Sequence, residues 1–287
     1  MADRLEGVLV VLGAGVMGTA IAVTAAGHGR RVVLVDVDPT ARDRARGRMD
    51  LHLRHAGLLG AFPDGVAPAA VEVVEEFDPA ADVVAVVEAV TERADLKAEV
   101  IADVSAALPP GVPLISNTSS IPIDELADAA MHPEDLVGTH FMNPAYLIRQ
   151  VEVVRGPRTG DAAMAAVAAL LADMGRHAVV VRDSPGFVTS RLLHPMINDA
   201  ARIVEEGVAA ADDVDALMQG CLGHRTGPLR TADLIGLDNL VDALLVLHER
   251  TGDDRARPCD LLLRKVRDGD LGRKSGRGFY DYEEALS

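Results

Sequence analysis

The side chains best suited to moving a proton lie near the middle of this 287-residue chain, beside segments with the pattern of buried strands. His140 stands in GTHFMNP (138–144), where a predicted strand runs into a polar turn containing Asn143. The polar cluster SNTSS (116–120) precedes it, and Glu152 follows it. Imidazole exchanges a proton near neutral pH, so His140 could act as a general base. Spacing alone leaves a second interpretation open, a histidine that only fills space at a strand end.

A glycine-rich segment near the start offers a different chemistry, the binding of a dinucleotide. In VLVVLGAGVMGTAIA, Gly13, Gly15 and Gly18 form G-x-G-x-x-G between a predicted strand and a predicted helix. The first glycine permits a tight turn, the second lets the backbone approach a pyrophosphate, and the third lets helix and strand pack closely. The N–H groups around Val16 and Met17, at the positive end of the helix, would supply the anion site.

The acidic residue that follows this motif favours NAD over NADP. Asp36 ends the second predicted strand, about 20 residues on, where a carboxylate can accept hydrogen bonds from ribose hydroxyls. It would also repel a 2′-phosphate, and Val37 and Asp38 follow where an NADP site would place an arginine. The alternative is a glycine-rich turn that binds no ligand.

The elements that must position these residues alternate between short apolar runs and alanine-rich helical patterns. Near-continuous Val, Ile and Leu runs are typical of parallel strands covered by helices on both faces. The pattern therefore predicts an α/β fold with a doubly wound sheet. The predicted strands are 7–15, 30–38, 81–90, 112–120, 135–141, 149–156 and 176–184, and the predicted helices between them are 16–29, 40–59, 92–108, 122–131 and 161–174.

The pattern changes at Ser184-Pro185-Gly186. Beyond this point the predicted helices are 186–206, 212–222, 229–250 and 258–268, and the next strand pattern is GFYDY (278–282). We therefore predict two domains, residues 1–184 and residues 185–287, of which the second is helical and of ordinary domain size.

Composition narrows the classes of partner. The chain carries 28 basic and 44 acidic residues, a net charge of −16, which disfavours a nucleic-acid or anionic-membrane binder. Cys221 and Cys259 are too few for a disulfide framework and lack the spacing of a zinc site, so we expect no metal. No export or membrane-spanning pattern is present, and a cytoplasmic protein is the expectation.

Seven motifs together resemble one family, the 3-hydroxyacyl-CoA dehydrogenases. They are LGAGVMG, VEAVTERADLK, SNTSSIPI, GTHFMNP, VEVV, DSPGFVTSR and GDLGRKSGRGFYDY, in the family's order and spacing over essentially the whole chain. The resemblance implies a Rossmann-type, mostly parallel N-terminal NAD-binding domain and an all-helical C-terminal domain that forms a homodimer. It also implies oxidation of a 3-hydroxyacyl thioester to the 3-oxoacyl thioester by hydride transfer to NAD.

The resemblance further implies a role for each matching residue. His140 matches the general base, Glu152 the carboxylate that orients it, and Ser119 the serine that hydrogen-bonds the substrate oxygen. Taken singly, Glu152 could be a strand-edge charge, and the two lysines among the cofactor contacts could be solvated. The implied cofactor contacts are Glu92, Lys97, Asn143 and Lys274.

Two departures from the family bear on the substrate. Ser190 replaces the asparagine of the usual P-G-F-x-x-N-R, and a hydroxyl is shorter than an amide and cannot make the same pair of hydrogen bonds. The serine and lysine that usually hold coenzyme A fall near Leu51 or His52 and near Leu58, so neither is matched.

A run of arginines occupies the same helical segment. These residues could be a solvated helix face, or they could bind the phosphates of coenzyme A or an acidic acyl carrier protein. The run comprises Arg42, Arg44, Arg46, Arg48 and Arg54.

Two further segments, HFMNPAYLI and GHRTGPLRTADLIGLDNL, resemble the branch of the family that acts in polyketide extender-unit assembly. We therefore expect a small hydroxylated (glyceryl) acyl group on an acyl carrier protein as the substrate. The alternative is a 3-hydroxyacyl-CoA or 3-hydroxybutyryl-CoA dehydrogenase of fatty-acid metabolism. A remoter one is a family member that binds NAD without catalysis.

Overall fold

The structure, a computed structural model, describes residues 7–79 and 82–282. The chain divides into two compact units, Met1–Ser184 and Pro185–Ser287. Ala81, the first residue of one predicted strand, and the outermost residues of both predicted domains, 1–6 and 283–287, lie outside the described residues.

The N-terminal unit is built on one eight-stranded sheet with the strand order β3-β2-β1-β4-β5-β6-β7-β8. Neighbouring strands are parallel from β3 across to β6, β7 runs antiparallel to β6, and β8 is parallel to β7. This arrangement confirms the predicted α/β class with a mostly parallel sheet. The strands are Val8–Leu12 (β1), Val32–Val35 (β2), Val71–Val74 (β3), Val83–Glu88 (β4), Leu114–Asn117 (β5), Leu136–His140 (β6), Gln150–Arg155 (β7) and His177–Arg182 (β8).

Helices cover this sheet and bury its central strands. Leu9 and Val11 of β1 and Ile21 of α1 have no exposed surface, as expected where helices pack on a parallel sheet. The helices of this unit are Val16–Gly27 (α1), Pro39–Leu58 (α2), Ala94–Ala107 (α3), Ile123–Leu126 (α4) and Asp161–Asp173 (α5).

Two local predictions for this unit were wrong. Strand β3 was missed because it has only four residues at the sheet edge, none of them fully buried. The helix predicted at 122–131 stops at Leu126, beyond which Ala129 and Ala130 donate their N–H groups three residues back, in the pattern of turns.

The C-terminal unit consists of helices among its described residues, with a core that includes Leu229, Leu240, Leu244 and Leu262. The helix predicted at 229–250 is two helices, because Gly236 adopts a φ of +95° and ends the first. The helices are Thr189–Glu205 (α6), Ala211–Leu222 (α7), Pro228–Ile235 (α8), Leu237–Thr251 (α9) and Asp260–Arg267 (α10).

The predicted strand GFYDY is instead a turn-rich segment held by side chains. Only isolated bridges, Gly272 with Arg277 and Arg277 with Asp281, occur there. The buried carboxylate of Asp233 accepts the N–H groups of Phe279 and Tyr280 at 2.9 and 3.0 Å. These bonds take the place of strand pairing.

No helix in residues 7–79 and 82–282 has both the length and the apolar character needed to cross a bilayer.

Candidate active site

The three motif glycines have three different surroundings at the turn between β1 and α1. Gly13 has a φ of +99°, and a Cβ there would lie 2.7 Å from the carbonyl oxygen of Ala89. A Cβ on Gly18 would lie 1.8 Å from the carbonyl oxygen of Gly13, whereas a Cβ on Gly15 would meet no atom within 4 Å. Two of the glycines are thus required by packing, and the third leaves open space at the helix N-terminus, which suits a pyrophosphate.

Asp36 fixes this turn from the end of β2. Its Oδ2 accepts the N–H of Ala14 at 2.7 Å, and its Oδ1 accepts the N–H of Asp38 at 2.9 Å. Arg42 donates to the Asp36 carbonyl oxygen at 2.6 Å and pairs with Glu75 at 3.2 Å. The carboxylate is therefore held beside the glycine turn with acceptor capacity left for ribose hydroxyls, and the residues present fit NAD.

Strand pairing brings His140 and Glu152 together. They are opposite each other in the antiparallel register of β6 and β7, and His140 Nδ1 lies 2.9 Å from Glu152 Oε2. Both side chains are largely buried, 9% and 6% exposed. Because a carboxylate accepts, Nδ1 carries the hydrogen and Nε2 the lone pair, which is the tautomer that a general base needs.

A buried ion cluster lies beneath the ends of β4 and β5. Lys97 Nζ donates to Glu88 Oε1 at 2.7 Å and to the Asn117 carbonyl oxygen at 3.3 Å, and it lies 3.3 Å from Glu92 Oε2. The other carboxylate oxygen of Glu88 accepts the hydroxyl of Ser116 at 2.7 Å. The side chains of Lys97 and Glu88 have no exposed surface. The cluster therefore links α3 to two strands of the sheet.

Glu92 organises the turn that carries Ser119. Its Oε1 accepts the hydroxyl of Thr118 at 2.6 Å and the N–H and hydroxyl of Ser119 at 2.7 and 3.1 Å. Burial raises the pKa of this carboxyl, but the charge of Lys97 and the hydrogen bonds from Thr118 and Ser119 outweigh that effect, and the pKa is lowered. Glu92 is therefore ionised at neutral pH and holds Ser119 in place.

Asn117 connects this cluster to His140. Its Oδ1 accepts the N–H of Phe141, the residue directly after His140, at 3.1 Å. Asn143 is exposed in the turn that follows. The ends of β4, β5 and β6 are thus joined by hydrogen bonds around the histidine.

Three residues that the family resemblance assigned to the cofactor or the substrate lie in different parts of the structure. Lys97 was expected to contact the cofactor; its fully buried side chain instead pairs with Glu88, so this placement supports an internal structural role. Ser190 lies in the first turn of α6, and Lys274 pairs with Asp238, both in the C-terminal unit. Burial opposes ionisation of Asp238, but the Lys274 ammonium outweighs it and lowers the pKa of that carboxyl.

Two residues of the site were missed from the sequence, Glu88 and Asn117. Glu88 could have been recognised because it ends the apolar run VVAVVE. A charged residue in a buried strand is seldom left unpaired, so it indicates a buried partner. Asn117 was noticed only as part of a polar cluster, because nothing in the sequence gives its partner, the Phe141 N–H.

The arginines of α2 divide into bonded and unbonded members. Arg42 and Arg46 pair with Glu75 and Asp43, and Arg48 donates to the Ala14 carbonyl oxygen at 3.2 Å. Within residues 7–79 and 82–282, no acidic partner is found for the exposed side chains of Arg44 and Arg54.

Fold and site together define an NAD-dependent dehydrogenase, and comparison with known proteins gives the family. The family descriptions "3-hydroxyacyl-CoA dehydrogenase, NAD binding domain" and "3-hydroxyacyl-CoA dehydrogenase, C-terminal domain" match residues 8–184 and 186–282. The chain belongs to the 3-hydroxyacyl-CoA dehydrogenase family. This confirms the family and the NAD cofactor expected from the sequence.

Relatives of similar length share this assignment. A Bacillus subtilis (strain 168) protein named "Probable 3-hydroxybutyryl-CoA dehydrogenase" is 41% identical over 282 residues, covering 97% of this chain and 98% of its own. A 3-hydroxybutyryl-CoA dehydrogenase of Bradyrhizobium diazoefficiens is 39% identical, with coverage of 96% and 95%. The crystal structure of (S)-3-hydroxybutyryl-CoA dehydrogenase from Ralstonia eutropha has a TM-score of 0.87 at 35% identity, covering 97% of this chain and 100% of its own.

Proposed function

We propose that this protein oxidises the 3-hydroxyl of a short 3-hydroxyacyl-CoA thioester, with 3-hydroxybutyryl-CoA as the first substrate to test. The observation that carries the proposal is the His140–Glu152 pair, 2.9 Å apart beside the carboxyl ends of parallel strands. The names of the relatives favour this substrate over the glyceryl group on an acyl carrier protein that two sequence segments had suggested.

His140 acts as the general base. With Nδ1–H donated to Glu152, the Nε2 lone pair accepts the proton of the substrate hydroxyl. The imidazolium that results lies against a carboxylate in a largely buried place, where the attraction between the opposite charges is stronger than it would be between the same groups in water. In the reverse reduction the same nitrogen returns the proton.

Ser119 hydrogen-bonds the oxygen on C3. Its hydroxyl and N–H lie at the ionised carboxylate of Glu92, which orients the serine and the turn around it. Asn143, in the exposed turn after His140, is a further contact for the cofactor, and the family motif in which Glu92 stands makes Glu92 another.

NAD, when bound, would supply the hydride acceptor for C3 of the substrate. The turn at Gly13, Gly15 and Gly18 and the N–H groups of Val16 and Met17 would hold its pyrophosphate, and Asp36 would hold the adenosine ribose. Lys97 fixes Glu88 and Glu92 at the ends of β4 and β5, so it positions the turn that carries Ser119 from inside.

Ser190 and Lys274 take their roles in this proposal only from the family motifs in which they stand. Ser190 offers one hydroxyl where most of the family has an amide, which suits a small acyl group. The unbonded arginines Arg44 and Arg54 on α2 would contact the phosphates of the thioester carrier. A homodimer formed through the helical unit also belongs to the proposal.

The direct test measures loss of NADH absorbance with acetoacetyl-CoA, in parent and His140→Ala. Loss of a general base lowers turnover about 100-fold or more, with nearly unchanged affinity for NADH. His132→Ala, a histidine of the same unit outside the site, is the matched control and should retain full turnover. Equal turnover in parent and His140→Ala would show that the histidine is not the base, and a parent that is inactive on all thioesters would support a non-catalytic NAD-binding protein.

The carrier is tested separately by giving the enzyme the same acetoacetyl group on coenzyme A, on pantetheine and on an acyl carrier protein. We expect the highest kcat/KM with coenzyme A. Arg44→Glu and Arg54→Glu should lower kcat/KM for the coenzyme A thioester about 10-fold and leave the pantetheine thioester unaffected, since one charged hydrogen bond is lost. A clear preference for the carrier-protein thioester, or for its glyceryl analogue, would replace coenzyme A in the proposal.

A further inference from the structure

A basic cavity lies on the N-terminal unit, away from the glycine turn. It has a volume of about 390 Å³, and His28, Phe62, Arg149, Arg176 and His177 are among the residues that line it. They come from the residue after α1, the segment after α2, the residue before β7, the turn between α5 and β8, and the first residue of β8. In the described part of the chain no lining residue is acidic, although acidic residues outnumber basic ones 44 to 28 in the sequence.

Arg176 is the buried charge of this cavity, with 3% of its surface exposed. Its Nε donates to the Met174 carbonyl oxygen at 3.1 Å, and its Nη1 donates to the Ala145 and Ile148 carbonyl oxygens at 3.0 and 3.1 Å. Its Nη2 donates to no acceptor among the described residues, and no carboxylate pairs with it. Two N–H donors of a fixed guanidinium thus remain for a ligand.

Arg149 adds a second charge at the same place. It is exposed, and within residues 7–79 and 82–282 no ion pair or hydrogen bond of its side chain is found. Burial and then the charge of Arg149 lower the pKa of Arg176, as expected where two like charges lie near each other. An anion bound between them would relieve their repulsion.

An acidic residue close to the cavity wall along the chain already has a partner. Asp173, two residues before Gly175 in the cavity wall, pairs with the buried Arg30 at 2.5 Å. Burial lowers the pKa of His28, and the charges of Arg176 and Arg149 add to this effect against the hydrogen bond to the Thr24 carbonyl oxygen, which raises it. The permanent positive charges of the cavity are those of the two arginines.

We propose that this cavity is a binding site for a phosphate-bearing anion, held by the guanidinium groups of Arg149 and Arg176. Guanidinium forks match phosphate oxygens in geometry, and the volume lies within the usual range for small-molecule sites. The site is separate from the dinucleotide turn, since α1 has 12 residues and spans about 18 Å between Gly15 and His28.

The cavity adjoins the connection between the two strands that carry the catalytic pair. Arg176 holds the carbonyl oxygens of Ala145 and Ile148, in the connection that leads from His140 on β6 to Glu152 on β7, and Arg149 ends the same connection. An anion bridging the two arginines ties this connection to the turn after α5. The proposal does not depend on which thioester the enzyme oxidises.

The test uses inorganic pyrophosphate as the probe and isothermal titration calorimetry as the measurement, on enzyme saturated with NAD so that the dinucleotide turn is blocked. We expect pyrophosphate to bind at one site per chain. Its affinity should fall about 10-fold or more in Arg149→Gln, because one charged hydrogen bond is lost. Arg182→Gln, an exposed arginine at the far end of β8, is the matched control and should bind as the parent does. Arg176→Lys, which retains the charge without the fork, should also bind more weakly while its circular dichroism stays that of the parent.

A second arm adds saturating coenzyme A. If Arg149-dependent binding persists, the anion is a separate ligand; if coenzyme A removes it, the phosphates come from the thioester carrier. No binding to the NAD-saturated parent, or equal weakening in Arg149→Gln and Arg182→Gln, would overturn the proposal.

Discussion

Two glycines only three residues apart should respond in opposite ways to the same methyl group. A Cβ at Gly15 meets no atom within 4 Å, and the backbone there, with φ −71° and ψ −165°, is open to any L-residue. Alanine restricts the unfolded chain more than glycine does, which favours the folded state by about 0.4–1 kcal/mol. Alanine is also a poorer N-cap than glycine, which offsets part of that gain. We therefore expect Gly15→Ala to change the free energy of unfolding by no more than about 0.5 kcal/mol.

The effect on cofactor binding should be much larger. The added methyl group takes the space through which the pyrophosphate approaches the N–H groups of α1. Loss of one charge-assisted hydrogen bond costs about 1.5–3 kcal/mol, so the affinity for NADH should fall roughly 10- to 150-fold.

Gly18→Ala provides the contrast. Its Cβ would lie 1.8 Å from the carbonyl oxygen of Gly13, a backbone atom that cannot rotate away. We expect the free energy of unfolding to fall by about 3 kcal/mol or more.

Urea unfolding followed by circular dichroism measures the first quantity, and the fluorescence of bound NADH measures the second. The chain contains no tryptophan, so the cofactor signal has no tryptophan background. If Gly15→Ala unfolded as easily as Gly18→Ala, or bound NADH as tightly as the parent, the division between packing and binding glycines would be wrong.

Three further outcomes follow from buried polar groups. Glu152→Gln removes the charge beside His140 and should lower turnover about 100-fold with unchanged NADH affinity; turnover within about threefold of the parent would contradict it. Lys97→Met leaves Glu88 buried without a counter-charge and should cost about 3–5 kcal/mol in urea unfolding, whereas a loss below about 1 kcal/mol would show that the cluster is not needed. Burial raises the pKa of all three tyrosines, that of Tyr282 to about 12, so phenolate absorbance should appear only at higher pH than in urea-unfolded protein. Because each tyrosine has a higher pKa in the folded than in the unfolded protein, its protonated form stabilises the folded state. That contribution is complete below the unfolded-state pKa and is lost as the pH rises through the folded-state pKa; coincident titration curves of folded and unfolded protein would refute it. The tyrosines are Tyr146, Tyr280 and Tyr282.

The features predicted most readily from the sequence are those that depend on residues close together in the chain. The order of strands and helices follows from apolar periodicity, and the glycine turn follows from steric demands within about 20 residues. His140 alone could not be assigned from spacing, and only its resemblance to a family motif gave it a role. The structure adds the distance to its partner, from which the tautomer is inferred.

What could not be predicted depends on contacts distant in sequence. The break at Gly236 lies inside an apolar pattern that reads as one helix, and only its positive φ divides it. The Asn117 side chain reaches the Phe141 N–H across 24 residues, and the Glu88–Ser116 bond spans 28. Periodicity gives the type of an element but not which side chains meet where elements come together.

The antiparallel direction of β7 decides what keeps the base and its carboxylate together. His140 and Glu152 face each other because Gly138 pairs with Val154 and Thr139 with Val153, one step at a time along two strands. The pair is set by sheet register, so the length of the connection between the strands is not what holds it. A one-residue slip of β7 would turn Glu152 to the other face of the sheet and separate it from His140. Substitutions in the exposed turn that carries Asn143 leave the ladder unchanged, and with it the proton-transfer pair.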